Sequence, residues 1–157
     1  MMKSGKWLQW TAVWITTCVA MHAQAAEAQP GGIQVEQCWV RAMPSTVPSA
    51  GYFTLHNTGE APRTLTAVAM PAFGMAMMHR SESNGSMSMM EPVSSVRVPA
   101  HGSVSFAPKG YHVMLEEPVQ PLKVGGTLPL TLSFDDGSTL TAQCAIKSPA
   151  TMGQAAP

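Results

Sequence analysis

Apolar and polar residues alternate with a period of two in short segments along most of the chain. Residues 51–57 show the pattern most clearly, since Phe53 and Leu55 fall on one face and Thr54 and His56 on the other. Turns rich in glycine and proline separate eight or nine such segments, and none of the segments has a convincing helical period. The pattern therefore predicts an all-β protein built as an antiparallel sandwich.

The amino-terminal segment has a different organisation. It begins with Lys3 and Lys6, continues with an apolar run over residues 7–21, and ends in small residues at Ala25. This order is typical of a secretory signal peptide, and we predict cleavage after Ala25. The apolar run is too short and too often interrupted by polar residues for a transmembrane anchor, so no anchor is expected after cleavage.

Lipoprotein processing at Cys18 is the alternative for this segment. The residues before that cysteine are Ile15, Thr16 and Thr17, which place a threonine where glycine or alanine is usual. Cleavage after Ala25 is therefore the preferred interpretation, and it implies export to the periplasm.

Cleavage would leave 157 − 25 = 132 residues, a length that suits one domain with one core. Two of the nine basic residues and none of the nine acidic ones would be lost, so the remaining net charge is 7 − 9 = −2. No basic patch is left, which argues against nucleic-acid binding. The predicted organisation is a signal peptide at 1–25, a flexible leader at 26–32, a β-sandwich at 33–147 and a disordered tail at 148–157.

Cys38 and Cys144 are the two cysteines that remain after the predicted cleavage. Cys144 alternates with Leu140, Ala142 and Ile146, so it is expected to face the core. An even pair of cysteines in an oxidising compartment is most simply a disulfide. We therefore predict a bridge between the first strand and the last.

Soft metal donors are concentrated between residues 79 and 114. His79 is followed after ten residues by Met90, and His112 and Met114 follow twenty-one residues later. Imidazole and thioether together favour copper, above all Cu(I). His112 and Met114 are two residues apart, so on a strand both leave the same face. The sequence predicts a copper site formed by these four residues.

Further methionines lie in the same region. Methionine is common core filler, and we expect Met78 to be buried. Four others are candidate auxiliary thioether donors, namely Met75, Met77, Met87 and Met89. His56 and His101 are expected to be solvated and to have no part in the site.

The spacing of the four donors matches the metal-binding motif of the periplasmic PCu(A)C copper chaperones, and the chain resembles that family over about residues 34–146. Five further segments look familiar from it: CWVRA at 38–42, GYFTL at 51–55, GYHVML at 110–115, PLKVG at 121–125 and LTLSFDDG at 130–137. Two features depart from the family pattern. The cysteine pair is not usual in the family, and a long carboxy-terminal His/Met-rich extension is missing from the sequence.

The resemblance implies a cupredoxin-like Greek-key sandwich, expected to be monomeric, that binds one Cu(I). It also implies delivery of copper toward the copper centre of cytochrome c oxidase subunit II, alongside a Sco-type thioredoxin-fold protein. The chain would then be a metallochaperone and not an enzyme. This agrees with the lack of a recognisable nucleophile–base pairing in the sequence.

Two other classes of function remain open at this level. An electron-transfer cupredoxin needs a thiolate with two imidazoles, and no cysteine lies between His79 and Met114. A metal-free interaction module would make the His/Met cluster incidental, and it predicts no measurable copper binding.

Overall fold

The computed structural model describes residues 32–83 and 88–152, with side chains over 32–82 and 89–152. Within these ranges the chain forms ten strands, so the all-β prediction is confirmed, with more strands than the eight or nine expected. Their bounds are β1 Ile33–Arg41, β2 Ser49–Asn57, β3 Arg63–Ala69, β4 Phe73–Ser83, β5 Ser88–Pro92, β6 Val96–Val98, β7 Gly102–Phe106, β8 Tyr111–Pro118, β9 Thr127–Phe134 and β10 Thr139–Lys147.

The strands form one hydrogen-bonded sheet in the order β5-β4-β8-β7-β2-β1-β10-β9-β3-β6, in which β8 also pairs with β2. Most neighbours are antiparallel, but β1 runs parallel to β10, and β7 parallel to β8. One hydrophobic cluster takes side chains from both ends of this order, including Leu65 of β3, Val98 of β6 and Met78 of β4. The sheet must therefore fold over on itself, which gives the cupredoxin-like sandwich that was predicted.

The strand alternation decides which side chains enter this core. On β2 and β8 the side chains that enter it are Phe53, Leu55, Val113 and Leu115, each at most 1% exposed. Phe53 stacks on Phe106 with ring centroids 4.4 Å apart. His112 and Met114 therefore leave β8 on the outer face, opposite to the core.

A disulfide joins Cys38 of β1 to Cys144 of β10. Cys144 is fully buried within the main hydrophobic cluster, as its alternation indicated. The bridge fastens the parallel pair formed by the first and last strands, close to the register positions Trp39 and Ala145.

A β-bulge interrupts β1 between Glu36 and Trp39, where Gln37 has a φ of 52°. Before the bulge, the odd-numbered Ile33 is buried in the core. After the bulge it is Val40 that is fully buried, while Trp39 and Arg41 point to the outer face. The bulge thus reverses which side chains of β1 face outward.

Several predicted segments lie outside the described residues. These are the signal peptide at 1–25, all of the leader except Gly32, and the end of the predicted tail at 153–157. Residues 84–87 also lie outside the described ranges. Residues 148–152 begin the predicted tail and include a turn in which the Thr151 amide donates to the Ser148 carbonyl over 3.0 Å. The described part of the chain contains no helix of the length and hydrophobicity that a bilayer crossing requires.

Candidate metal centre

The register of β4 against β8 brings three of the four predicted donors together. His79 lies directly opposite His112, and the two imidazole centroids are 5.9 Å apart. Met114 is two residues beyond His112, which makes it a diagonal neighbour of His79 on the same face. Diagonal neighbours on a sheet lie within reach of long side chains.

The hairpin of β4 and β5 adds the fourth predicted donor. Met90 lies opposite Ser81, and Ser81 is two residues beyond His79. Met90 is therefore a diagonal neighbour of His79 from the other side. His79 thus occupies the centre of the arrangement, and all four donors share the outer face of β5, β4 and β8, which we call the donor face.

Burial of the donors is graded across the donor face. His79 and His112 are only 8% and 7% exposed, whereas Met90 is 63% exposed on the edge strand β5. The imidazoles thus lie in a largely dehydrated position, and a thioether remains open to solvent. A metal bound by these residues would have two buried ligands and one ligand accessible to solvent.

The tautomer of His112 is set by a backbone contact. Its Nδ1 lies 3.1 Å from the Gly110 carbonyl oxygen, and because a carbonyl can only accept, Nδ1 carries the proton of the neutral ring. The lone pair is then on Nε2, the nitrogen left for a metal.

Burial lowers the pKa of His112 from its usual value. The hydrogen bond to Gly110 opposes this shift, while the nearby charges of His79 and Arg41 add to it. The neutral ring is the form that binds a metal. His112 is therefore ready for a metal at lower pH than an exposed histidine.

His79 has a buried nitrogen without a partner. Its Nδ1 is inaccessible to solvent and accepts or donates no hydrogen bond among the described groups. A buried polar atom left in this way costs about 1–3 kcal/mol. Coordination of a metal by this imidazole would fix its tautomer and use one of its ring nitrogens. Together with the thioethers, the imidazoles form a donor set that fits a soft metal ion.

The auxiliary methionines separate into three groups. Met77 lies directly opposite Met114 on the donor face, and Met75 lies on the same face but two residues further away, 41% exposed. Met89 pairs with Glu82, next to the Ser81–Met90 pair, and so projects from the opposite face. Met89 therefore lies on the face opposite to the four proposed donors. Met87 lies outside the described residues, and Met78 is in the core as expected.

No three His, Cys, Asp or Glu side chains in the described ranges come close enough to one another to hold a metal. His56 pairs with Glu36 at 3.3 Å and His101 with Glu60 at 3.1 Å, away from the donor face's two imidazoles. A metal bound by His79 and His112 would therefore depend on thioethers for its other ligands.

Arg41 and Tyr52, which the sequence analysis did not single out, lie beside the donors. Arg41 pairs with Ala50, and Ala50 pairs with Met114, so the donor face continues across β2 to β1. Arg41 Nη2 donates to the Tyr52 hydroxyl over 2.8 Å. Alternation along β1 would have placed Arg41 inside, and only the bulge at Gln37 turns it outward.

These features define a β-sandwich domain of the PCuAC kind, with a patch of imidazole and thioether donors on its outer face. Among solved structures with this fold is the apo PCuAC domain from PmoF1, 30% identical, with a TM-score of 0.63 over 76% of this chain and 96% of that domain. Another is CuI-DR1885 from Deinococcus radiodurans, 32% identical, with a TM-score of 0.61 over 82% of this chain and 85% of that one. The predicted resemblance to PCu(A)C proteins is confirmed.

The chain belongs to the family described as "Putative lipoprotein LpqE-like", whose model matches residues 33–146. A relative from Leifsonia xyli subsp. xyli (strain CTCB07), "Putative lipoprotein Lxx21020", is 33% identical over 138 residues, which is 85% of this chain and 82% of that protein.

Proposed function

We propose that this chain is a copper-binding metallochaperone that holds one Cu(I) through His79, Met90, His112 and Met114. The observation that carries the proposal is the register of β5, β4 and β8, which places the other three donors around His79. The buried, unpartnered Nδ1 of His79 and the Gly110-fixed tautomer of His112 support it. The Cu(I) in the name of the 32% identical solved structure, CuI-DR1885, supports the same metal.

Thioether ligands suit a carrier that works outside the cytoplasm. Paired thiolates would be oxidised there to a disulfide, as Cys38 and Cys144 are, whereas thioethers need no deprotonation and cannot form that bond. Their weakness is oxidation to the sulfoxide, and Met90 is the most exposed of the four donors. The exposed Met90 also offers an incoming acceptor a first ligand to displace, as stepwise transfer requires.

We place the protein in the periplasm and propose that it passes copper toward the copper centre of cytochrome c oxidase subunit II, with a Sco-type thioredoxin-fold protein as co-partner. Transfer from the loaded protein to the purified, separately produced acceptor domain tests this step. Copper appearing in the acceptor faster than the free ion would deliver it supports the proposal. Retention by the carrier at equimolar acceptor contradicts it.

Export is proposed to use the segment before residue 26. Cleavage after Ala25 gives a free domain, whereas processing at Cys18 would leave a lipid-modified cysteine, as the names of the family and of the relative indicate for those proteins. Intact-mass measurement of the exported protein decides between the two, since the products differ by the eight residues 18–25 and the lipid.

The copper site itself is tested by anaerobic titration with Cu(I) against a competing chelator, followed by X-ray absorption at the copper edge. We expect one equivalent of copper with mixed nitrogen and sulfur neighbours. Shells of nitrogen and oxygen alone would contradict the ligand set. No measurable binding would favour the metal-free interaction module.

The disulfide argues against the alternative function of an electron-transfer cupredoxin. Both cysteines in the described part of the chain are joined in the disulfide between β1 and β10, and neither can supply the thiolate that a blue-copper centre requires. An intense blue colour of the Cu(II) form would reverse this conclusion.

A further inference from the structure

A cation lies on the donor face beside the proposed ligands. Arg41 of β1 is paired with Ala50 of β2, Ala50 with Met114 of β8, and Met114 with Met77 of β4. Directly paired residues project from the same face, so these four side chains form one row across the sheet. Only the small side chain of Ala50 stands between the arginine and the nearest proposed ligand.

The guanidinium of Arg41 is held in place. Its Nη2 donates to the Tyr52 hydroxyl over 2.8 Å, and its Cζ lies 5.5 Å from the centre of the Tyr52 ring. Tyr52 is itself 3% exposed and packs on Trp39 with centroids 4.5 Å apart, so the arginine rests on a rigid aromatic support.

No carboxylate neutralises this charge within the described ranges, which contain eight of the nine acidic residues. The carboxylates that form ion pairs there are bound to His56, Arg63, Arg80 and His101. The Nε of Arg41 is buried and has no acceptor among the described groups. The positive charge of Arg41 is therefore not neutralised by a described carboxylate, and it can act on the neighbouring donors.

We propose that Arg41 increases the selectivity of this site for monovalent over divalent copper. The inference rests on the proposed function, since it assigns a role to a neighbour of the proposed ligands. Coulomb repulsion scales with the product of the charges, so a fixed +1 charge opposes Cu(II) twice as strongly as Cu(I). Soft thioethers already favour Cu(I), and Arg41 adds an electrostatic term of the same sign.

The test is Arg41→Gln, which removes the charge and keeps an amide able to donate to Tyr52. The affinities for Cu(I) and Cu(II) are each measured by chelator competition at fixed ionic strength. We expect the Cu(I) affinity to rise by about tenfold and the Cu(II) affinity by about the square of that factor. The potential of the bound copper should then fall by about 59 mV for each tenfold change in the ratio of the two affinities.

Two matched variants separate charge from packing. Arg41→Lys keeps the charge and should retain both the ratio of affinities and the potential. Arg97→Gln makes the same exchange on β6, where the side chain is exposed and β6 is at the far end of the strand order from β4. It should leave copper binding unchanged.

The outcomes distinguish this inference from the proposed function. If the wild-type protein binds no copper, the proposed function fails and this inference with it. If the wild type binds copper but Arg41→Gln changes both affinities equally, or changes neither, only the role of Arg41 is overturned. A loss of affinity for both ions together with a lower melting temperature would show a packing role instead.

Discussion

His79 and His112 lie directly opposite each other on β4 and β8, with their imidazole centroids 5.9 Å apart, on the face of the sheet that points away from the core. Both rings are nearly buried although they are on the outer face. Two largely dehydrated imidazoles at this distance would be an unfavourable choice for stability alone, because the Nδ1 of His79 has no described partner. The metal site that we propose would account for this pair.

Replacement of His79 by alanine should abolish tight copper binding. Mutation of a residue that only hydrogen-bonds to a metal ligand typically lowers metal affinity by about 10–100-fold. Loss of the central ligand itself should therefore weaken Cu(I) binding by more than about 100-fold. The domain should stay folded, because the side chain lies outside the main hydrophobic cluster. Chelator competition with Cu(I) and far-UV circular dichroism measure the two effects.

His101→Ala is the matched control for this prediction. His101 lies in the turn before β7 and pairs with Glu60, and its removal should leave copper binding as in the wild type. Equal affinities of His79→Ala and His101→Ala for Cu(I) would contradict the proposed site.

Met89 and Met90 are adjacent, and both are more than half exposed, but only Met90 lies on the donor face. Met90→Leu should weaken Cu(I) binding by at least roughly tenfold, equivalent to about 1.4 kcal/mol. Met89→Leu should have no effect, because its thioether projects from the other face of the hairpin. Chelator competition measures the Cu(I) affinity of both variants under the same conditions. A larger loss of affinity in Met89→Leu than in Met90→Leu would mean that β5 pairs with β4 in another register.

The disulfide should contribute to stability and not to copper binding. The two cysteines are 106 residues apart in sequence, and the chain-entropy model gives about 4–5 kcal/mol for closing a loop of that length. The double variant Cys38→Ser, Cys144→Ser should therefore have a free energy of unfolding lower by up to this amount, measured by urea denaturation.

The same double variant should bind Cu(I) with the affinity of the wild type at temperatures where it is folded. Both cysteines are absent from the proposed ligand set, and Cys144 is in the core. A parallel loss of copper affinity in the folded variant would show that the bridge also positions the donors.

The buried His112 predicts a loss of stability of the metal-free protein in mild acid. Its pKa in the folded protein lies below its usual value of 6.5, chiefly because of burial. Between the two values the unfolded chain binds more protons, so stability rises with pH there. The contribution is complete above pH 6.5 and is lost as the pH falls toward the folded pKa.

Urea denaturation of the metal-free protein from about pH 7.5 to about pH 5 measures this effect, with His112→Gln as the reference. The wild type should lose more stability than the variant over this interval. The pKa values of Asp135 and Asp136 are also lowered, by hydrogen bonds to Thr64 and Ser138 respectively, but these groups lose their contribution only at more acidic pH. Parallel curves for the two proteins would contradict the assignment to His112.

Much of the molecule was readable from the sequence because strands alternate with a fixed period. The period alone places Phe53 and Leu55 on one face of β2 and His112 and Met114 on one face of β8, and it indicated that Cys144 faces the core. The identity of the donors and their preference for copper are also local chemistry, since imidazole and thioether keep their character wherever the chain places them.

Only the tertiary structure decided the features that depend on strand register and on the β-bulge. The separation of Met90 from Met89 depends on the register of the β4–β5 hairpin, because a shift by one residue would exchange their faces. The outward position of Arg41 depends on the bulge at Gln37, and the alternation of apolar and polar residues does not predict that bulge. Sequence fixes which groups a strand carries, but the hydrogen bonds between distant strands decide which of those groups meet.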